Sequence, residues 1–161
     1  MKRTAKGFTL VELMITLAIL AIIMTIGYPL YQTQLEKARR TDARSGLTKL
    51  AMAQERYYGM FGSYADKKDK LNFGPDGKED GANDIYSYKE AVSDLDYDGN
   101  GEPDYYTIEI GDDGDPTTFT ITATATGSQT ADEDCRLFTI NQLGVKEAED
   151  SGGNDRTERC W

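Results

Sequence analysis

Two sets of residues in this 161-residue chain have types and spacing suited to chemistry. The first is a lone carboxylate, Glu12, set in an apolar run. Between Phe8 and Tyr28 it is the only ionisable side chain, and Thr9, Thr16 and Thr25 are the other polar interruptions. About 20 apolar residues suffice to cross a bilayer as a helix. A carboxylate near the start of such a helix is costly enough to call for a partner. The second set is the acidic stretch Asp94-Leu95-Asp96-Tyr97-Asp98-Gly99-Asn100-Gly101-Glu102-Pro103-Asp104. Oxygen donors at alternate positions, with a glycine allowing a sharp turn, suit a hard cation such as calcium. Counted from Asp96, the donors are Asp96, Asp98, Asn100, the Glu102 carbonyl and Asp104, with Gly101 at the turn. Counted from Asp94, Gly99 takes the turn position, and both registers stay open. Thr107 stands where a bidentate glutamate would close an EF-hand, so another segment must complete the shell. There is no histidine, and Cys135 and Cys160 are the only cysteines. Histidine triads, His-rich zinc sites and Cys–His nucleophiles are thereby excluded. No nucleophile–base constellation is evident, so a non-catalytic protein is expected.

The apolar run is preceded by Lys2, Arg3, Lys6 and Gly7. In a secretory signal the small residue of the cleavage site follows the apolar core. Here it comes first, so cleavage leaves the hydrophobic helix on the product. Gly7-Phe8-Thr9-Leu10-Val11-Glu12 resembles the class III leader of type IV prepilins. The resemblance implies a peptidase that cuts after Gly7 and methylates the new N-terminal residue, Phe8. Glu12, then fifth in the processed chain, is implied to pair with the N-terminal amine of a neighbouring subunit. Residues 94–104 resemble, separately, the Asp-rich loops of bacterial and thrombospondin-type calcium repeats.

Charge divides the chain. Residues 1–60 carry nine Lys/Arg against four Asp/Glu, a net +5, whereas residues 61–161 carry nine against 24, a net −15. An acidic head repels phosphates, so nucleic-acid binding through it is disfavoured. With a basic leader and a membrane segment implying export, Cys135 and Cys160 read as one disulfide made in an oxidising compartment.

These residues need elements to position them. Tyr31, Leu35, Ala38, Ala43, Leu47, Leu50, Ala51 and Tyr58 recur at roughly helical spacing, which extends the apolar helix to a stop near Gly59 or Gly62. Pro29, beside Gly27, predicts a kink. Residues 62–104 are polar, with Tyr64, Phe73, Ile85, Tyr86 and Tyr88 as anchors. Alternation then predicts strands around Tyr106–Ile110, Phe119–Ala125 and Arg136–Ile140, with a short fourth from Val145. Glu147 to Arg159 is expected to be irregular. About 130 residues beyond the apolar run allow one modest domain.

The reading is therefore α+β: a long N-terminal helix, half membrane-spanning and half amphipathic, on a three- to four-stranded antiparallel sheet. That is the type IV pilin fold by resemblance. Cys135, Leu137 to Ile140, Gly144 and Cys160-Trp161 look like the disulfide-bounded D-region of type IVa pilins, and the Cys-Trp ending is typical of small minor pilins. The expected divisions are a leader at 1–7, an assembly helix at 8–28, its amphipathic continuation at 29–61 and an acidic head at 62–161. The D-region within that head covers 135–160. The family resemblance implies a minor pilin of a type IV pilus, a fimbrium serving cell adhesion or twitching motility. Its partners are other pilin subunits, prepilin peptidase and, before assembly, the inner membrane. The precursor's head is periplasmic and the assembled pilus extracellular. A type II secretion pseudopilin is the nearest alternative. A tip or uptake pilin that binds a ligand or DNA is another, disfavoured by the acidic head. Gly74 to Ile85 bears a weaker likeness to a pseudopilin calcium segment and reads better as a surface loop.

Overall fold

The computed structural model describes residues 8–66, 68–71, 105–111 and 114–161. Helix α1 runs Leu10–Phe61 without interruption. Four strands follow: β1 (Tyr106–Gly111), β2 (Thr120–Ala125), β3 (Leu137–Asn141) and β4 (Lys146–Glu149). A one-turn helix α2 (Thr157–Cys160) comes last. Packing divides the chain into two units, Met1–Lys37 and Ala38–Trp161.

In the first unit α1 is apolar and exposed. Pro29 does not end it, and the Thr33 hydroxyl donates to the Pro29 carbonyl at 3.1 Å. The stop comes at Gly62, whose φ of +73° favours glycine and whose N–H caps the Tyr58 carbonyl at 2.8 Å.

In the second unit α1 buries Ala43, Gly46, Leu47, Leu50, Ala53 and Gln54, a stripe spaced by three and four. Tyr31 and Tyr58, expected on the apolar stripe, are exposed instead. The helix core begins only at Ala43, where the sheet lies against it. Gln54 joins the stripe because its amide is satisfied twice, accepting from the Ala65 N–H and donating to the Ala65 carbonyl, both at 2.9 Å. That pair fixes the chain as it leaves the helix.

The sheet is an antiparallel meander in the order β1-β2-β3-β4. Its register lines up Ile108, Ala123, Phe138 and Ala148 in one row across all four strands. All four are buried, large residues alternating with small ones, in the core that also holds the helix stripe. Ile110, Ile121 and Ile140 form the neighbouring row. Thr107, Glu109, Thr120 and Thr124 face outward, as period-two alternation requires. The stretch from Glu147 is more ordered than expected. Most of β4 lies there, followed by an Asp150 turn and α2.

Candidate functional site

The candidate assembly element is the start of α1. Thr9 sits just before the helix, and its hydroxyl accepts the Glu12 N–H at 3.2 Å. Thr9-Leu10-Val11-Glu12 thus has the spacing of a capping box. Glu12 lies in the first turn, where the helix dipole favours negative charge. The hydroxyls of Thr16 and Thr25 donate back to the Leu13 and Ile22 carbonyls at 2.9 and 2.7 Å. Among the described residues nothing bonds to the Glu12 carboxylate, which leaves it the one polar side chain here without an answer inside the helix. Around it Phe8 and Leu10 are 73% and 74% exposed, and the apolar face continues through Ile26. The run is long and apolar enough to cross a membrane, and its most apolar stretch is not buried. Gly7 and the acidic loop of Asp94, Asp96, Asp98, Asn100, Glu102 and Asp104 lie outside the described residues.

The expected disulfide is formed: Cys135 and Cys160 are bonded, with Cα atoms 5.9 Å apart. It belongs to a laced region. The Ala148 carbonyl accepts from the Arg156 N–H at 2.7 Å, and the Ala148 N–H donates to the Thr157 hydroxyl at 2.9 Å. Asp150 accepts from the N–H groups of Gly152 and Asn154, the Asn154 amide and Arg156. Those donors, the Asn154 backbone first, hold its carboxyl down at about 2.

Sequence reasoning missed the polar cluster that joins helix to head. Arg40 forks onto Asp132 through Nε at 2.5 Å and a terminal nitrogen at 2.6 Å. The Asp132 side chain is 1% exposed and that of Arg40 13%. Gln129 donates to Asp132 at 3.0 Å and to the Tyr106 hydroxyl at 3.2 Å, and the Cys135 N–H donates to Asp132 at 3.2 Å. Burial disfavours the Arg40 charge, but the Asp132 bonds outweigh it and raise its pKa. Burial likewise pushes the Tyr106 phenol up, so it stays neutral and able to hydrogen-bond. Four residues on, Arg44 donates to the main-chain oxygens of Cys160 and Trp161 at 3.1 and 2.9 Å. The available signal was two arginines four apart, flanking the first buried residue, Ala43.

Comparison with known proteins bears on both ends. A model of the prokaryotic N-terminal methylation motif matches residues 2–28. A model described as "Type IV minor pilin ComP, DNA uptake sequence receptor" matches residues 29–139. The chain is 31% identical over 71 residues to the type IV major pilin protein PilA of Myxococcus xanthus, covering 44% of this chain and 32% of that one. It is 54% identical over 37 residues to prepilin peptidase-dependent protein D of Escherichia coli, covering 23% and 25%. It is 49% identical over 49 residues to fimbrial protein EcpB of Eikenella corrodens, covering 29% and 31%. These matches span about a third or less of the curated relatives' own lengths. A solved type IV pilin from Shewanella oneidensis aligns at 22% identity and a TM-score of 0.44, covering 69% of this chain and 89% of that one. With its methylation motif and with well over half its length matched by the minor-pilin model, the chain belongs to the type IV pilin family, among the minor pilins of the ComP group.

Proposed function

We propose that this minor pilin works as a structural, non-catalytic subunit. In this reading prepilin peptidase cuts after Gly7 and methylates Phe8. The precursor waits in the inner membrane with a periplasmic head, and the chain then joins an extracellular pilus. The observation that carries the proposal is the exposed apolar start of α1 with a single carboxylate, Glu12, in its first turn. An unpaired carboxylate at membrane depth costs about 3 kcal/mol on insertion scales. The free N-terminal ammonium of a neighbouring subunit, one short step along a parallel helix, removes that cost and sets the stagger between subunits.

Two substitutions at Glu12 separate charge from capping. Glu12→Ala removes both, whereas Glu12→Gln keeps a capping-box residue and removes only the charge. Both variants should be processed normally and both should be depleted from sheared filaments. Normal incorporation of Glu12→Gln would overturn the charge-pairing step.

A second reading follows from the description of the matched family, a receptor for DNA uptake sequences. The net charge of −15 over residues 61–161 weighs against it. Titration of the purified chain with duplex DNA at low ionic strength distinguishes the two: saturable, sequence-dependent binding supports a receptor, and none leaves the structural role. Calcium at Asp94–Asp104 is also proposed, on the spacing of Asp96, Asp98, Asn100 and Asp104. Millimolar calcium should raise the melting temperature, and an unchanged melt would remove calcium from the account.

A further inference from the structure

The main chain at both half-cystines is held by groups other than the sulfur bond. On one side, the Cys135 N–H donates to Asp132 at 3.2 Å and its carbonyl accepts from the Tyr106 hydroxyl at 3.3 Å. On the other, the Cys160 N–H donates to the Arg156 carbonyl at 3.0 Å and its carbonyl accepts from Arg44 at 3.1 Å. Helix α1 reaches both cysteines. Arg40 forks onto Asp132, and Arg44, about one turn further on, also holds the Trp161 main-chain oxygen at 2.9 Å. An aromatic line repeats the arrangement. Phe138 meets Tyr106 edge-on on one flank and Trp161 on the other, with centroids 5.7 and 5.9 Å apart. None of these contacts uses a cysteine side chain, so all of them are open to the dithiol form as well. Both cysteines are buried, and Cys160 sits in α2, a single turn too short to hold itself closed.

We infer that Arg44 is a positioning residue for oxidative closure of Cys135–Cys160, with Arg40 acting through Asp132 on the opposite cysteine. Closure proceeds by exchange with a small disulfide such as oxidised glutathione. While α2 is open, one cysteine thiolate attacks the glutathione disulfide and releases one glutathione thiolate. Arg44 then draws the Cys160 main chain back toward Cys135. The second cysteine thiolate attacks the mixed disulfide and releases the other glutathione. Two cysteine thiols and one glutathione disulfide thus become one cystine and two glutathione thiols, with the protons following the electrons. Holding the reacting groups together turns an encounter into an intramolecular step, which raises the effective concentration of the thiols. The coupling is reciprocal: the formed bond tightens the hold of Arg44 by the same factor as Arg44 favours the bond. Reduction therefore loosens the contact of α1 with α2, and the pair acts as a redox-sensitive latch.

The test equilibrates the full-length chain in detergent with graded ratios of reduced and oxidised glutathione. Thiol alkylation and mass spectrometry read the fraction closed. Arg44→Met should lower the effective thiol concentration about tenfold, within the usual range of coupling between sites. Arg44→Lys, which keeps a cationic donor for main-chain carbonyls, should recover part of the loss. Amide exchange at Cys160 and Trp161 in the dithiol form should be slow in the wild type and fast in Arg44→Met. An Arg44 that merely adds to stability would lower the melting temperature in both redox states and leave the equilibrium with glutathione unmoved. Equal effective concentrations in the wild type and Arg44→Met therefore overturn the inference. If Arg44→Met does not fold, exchange in the wild-type dithiol form decides. Protected amides at Cys160 and Trp161 support the latch, and exchange at the rate of an unfolded segment overturns it.

Discussion

Asp132 accepts four hydrogen bonds, two from Arg40 and one each from Gln129 and the Cys135 N–H, in a site almost closed to water. Breaking a buried ion pair from one side leaves a charge that nothing offsets. Asp132→Asn should therefore cost about 3–5 kcal/mol in denaturant unfolding, and replacing Arg40 and Asp132 together with apolar residues should cost less. A similar cost for single and double variants would contradict this coupling. Asp150 behaves differently because it sits in a surface turn, held by turn N–H groups and a partly exposed Arg156. Its folded carboxyl titrates at about 2, below its unfolded value of about 4. Its contribution is present above the unfolded value and lost as the pH falls through the folded one. Acid titration of Asp150→Ala should consequently show a shallower loss of stability between those two values. Neither cluster was legible in the sequence. Arg40 and Asp132 stand 92 positions apart, and no local pattern records such a pairing. Glu12 was legible for the opposite reason, since a charge in an apolar run stands out without any partner. Its capping relation to Thr9 was equally open to reading, as a Thr-x-x-Glu spacing.

At the scale of elements, strands whose residues alternate were readable and the one that does not was only half seen. Thr120–Ala125 alternates threonine with buried apolar residues, so β2 follows from pattern alone. In β4, Lys146-Glu147-Ala148-Glu149, a single residue is buried, and the strand exists because β3 pairs with it at Phe138↔Ala148. Gly144, at φ +71°, makes the turn that brings β4 back, while the Asn141 side chain accepts from the N–H groups of Leu143 and Val145. The amphipathic helix was read in the right place and to the right end, but its buried stripe was drawn too wide, because an apolar residue such as Tyr31 reports helix periodicity without reporting what covers it. Two predictions belong here. Leu47→Ala, at a fully buried position on the helix stripe, should cost about 2–5 kcal/mol in the same unfolding measurement. Removing the disulfide by Cys135→Ser/Cys160→Ser frees a chain segment with a separation of 25. It should cost about 3 kcal/mol and make the melting temperature insensitive to reductant. A melting temperature unchanged by the double substitution would show that the hydrogen-bonded lacing around Ala148 suffices.

The whole molecule is a division of labour written in charge and hydropathy. The apolar start of α1 is exposed along its length, and a structure of the isolated chain leaves unburied what a bilayer or a bundle of like helices would cover. The second unit packs its own core, and residues 61–161 within it carry a net −15. Composition made that division plain, whereas the contacts of Arg44 with the main chain at Cys160 and Trp161 were hidden, since only folding brings those positions together. The proposed subunit role requires the chain to be cut before its hydrophobic helix and built into a filament by it. Mass spectrometry of sheared filaments tests both halves at once. The expected result is a polypeptide from this chain that begins at N-methylated Phe8 and contains the intact Cys135–Cys160 bond. A chain that still carries Met1 to Gly7, or one found in the membrane and never in filaments, would contradict it.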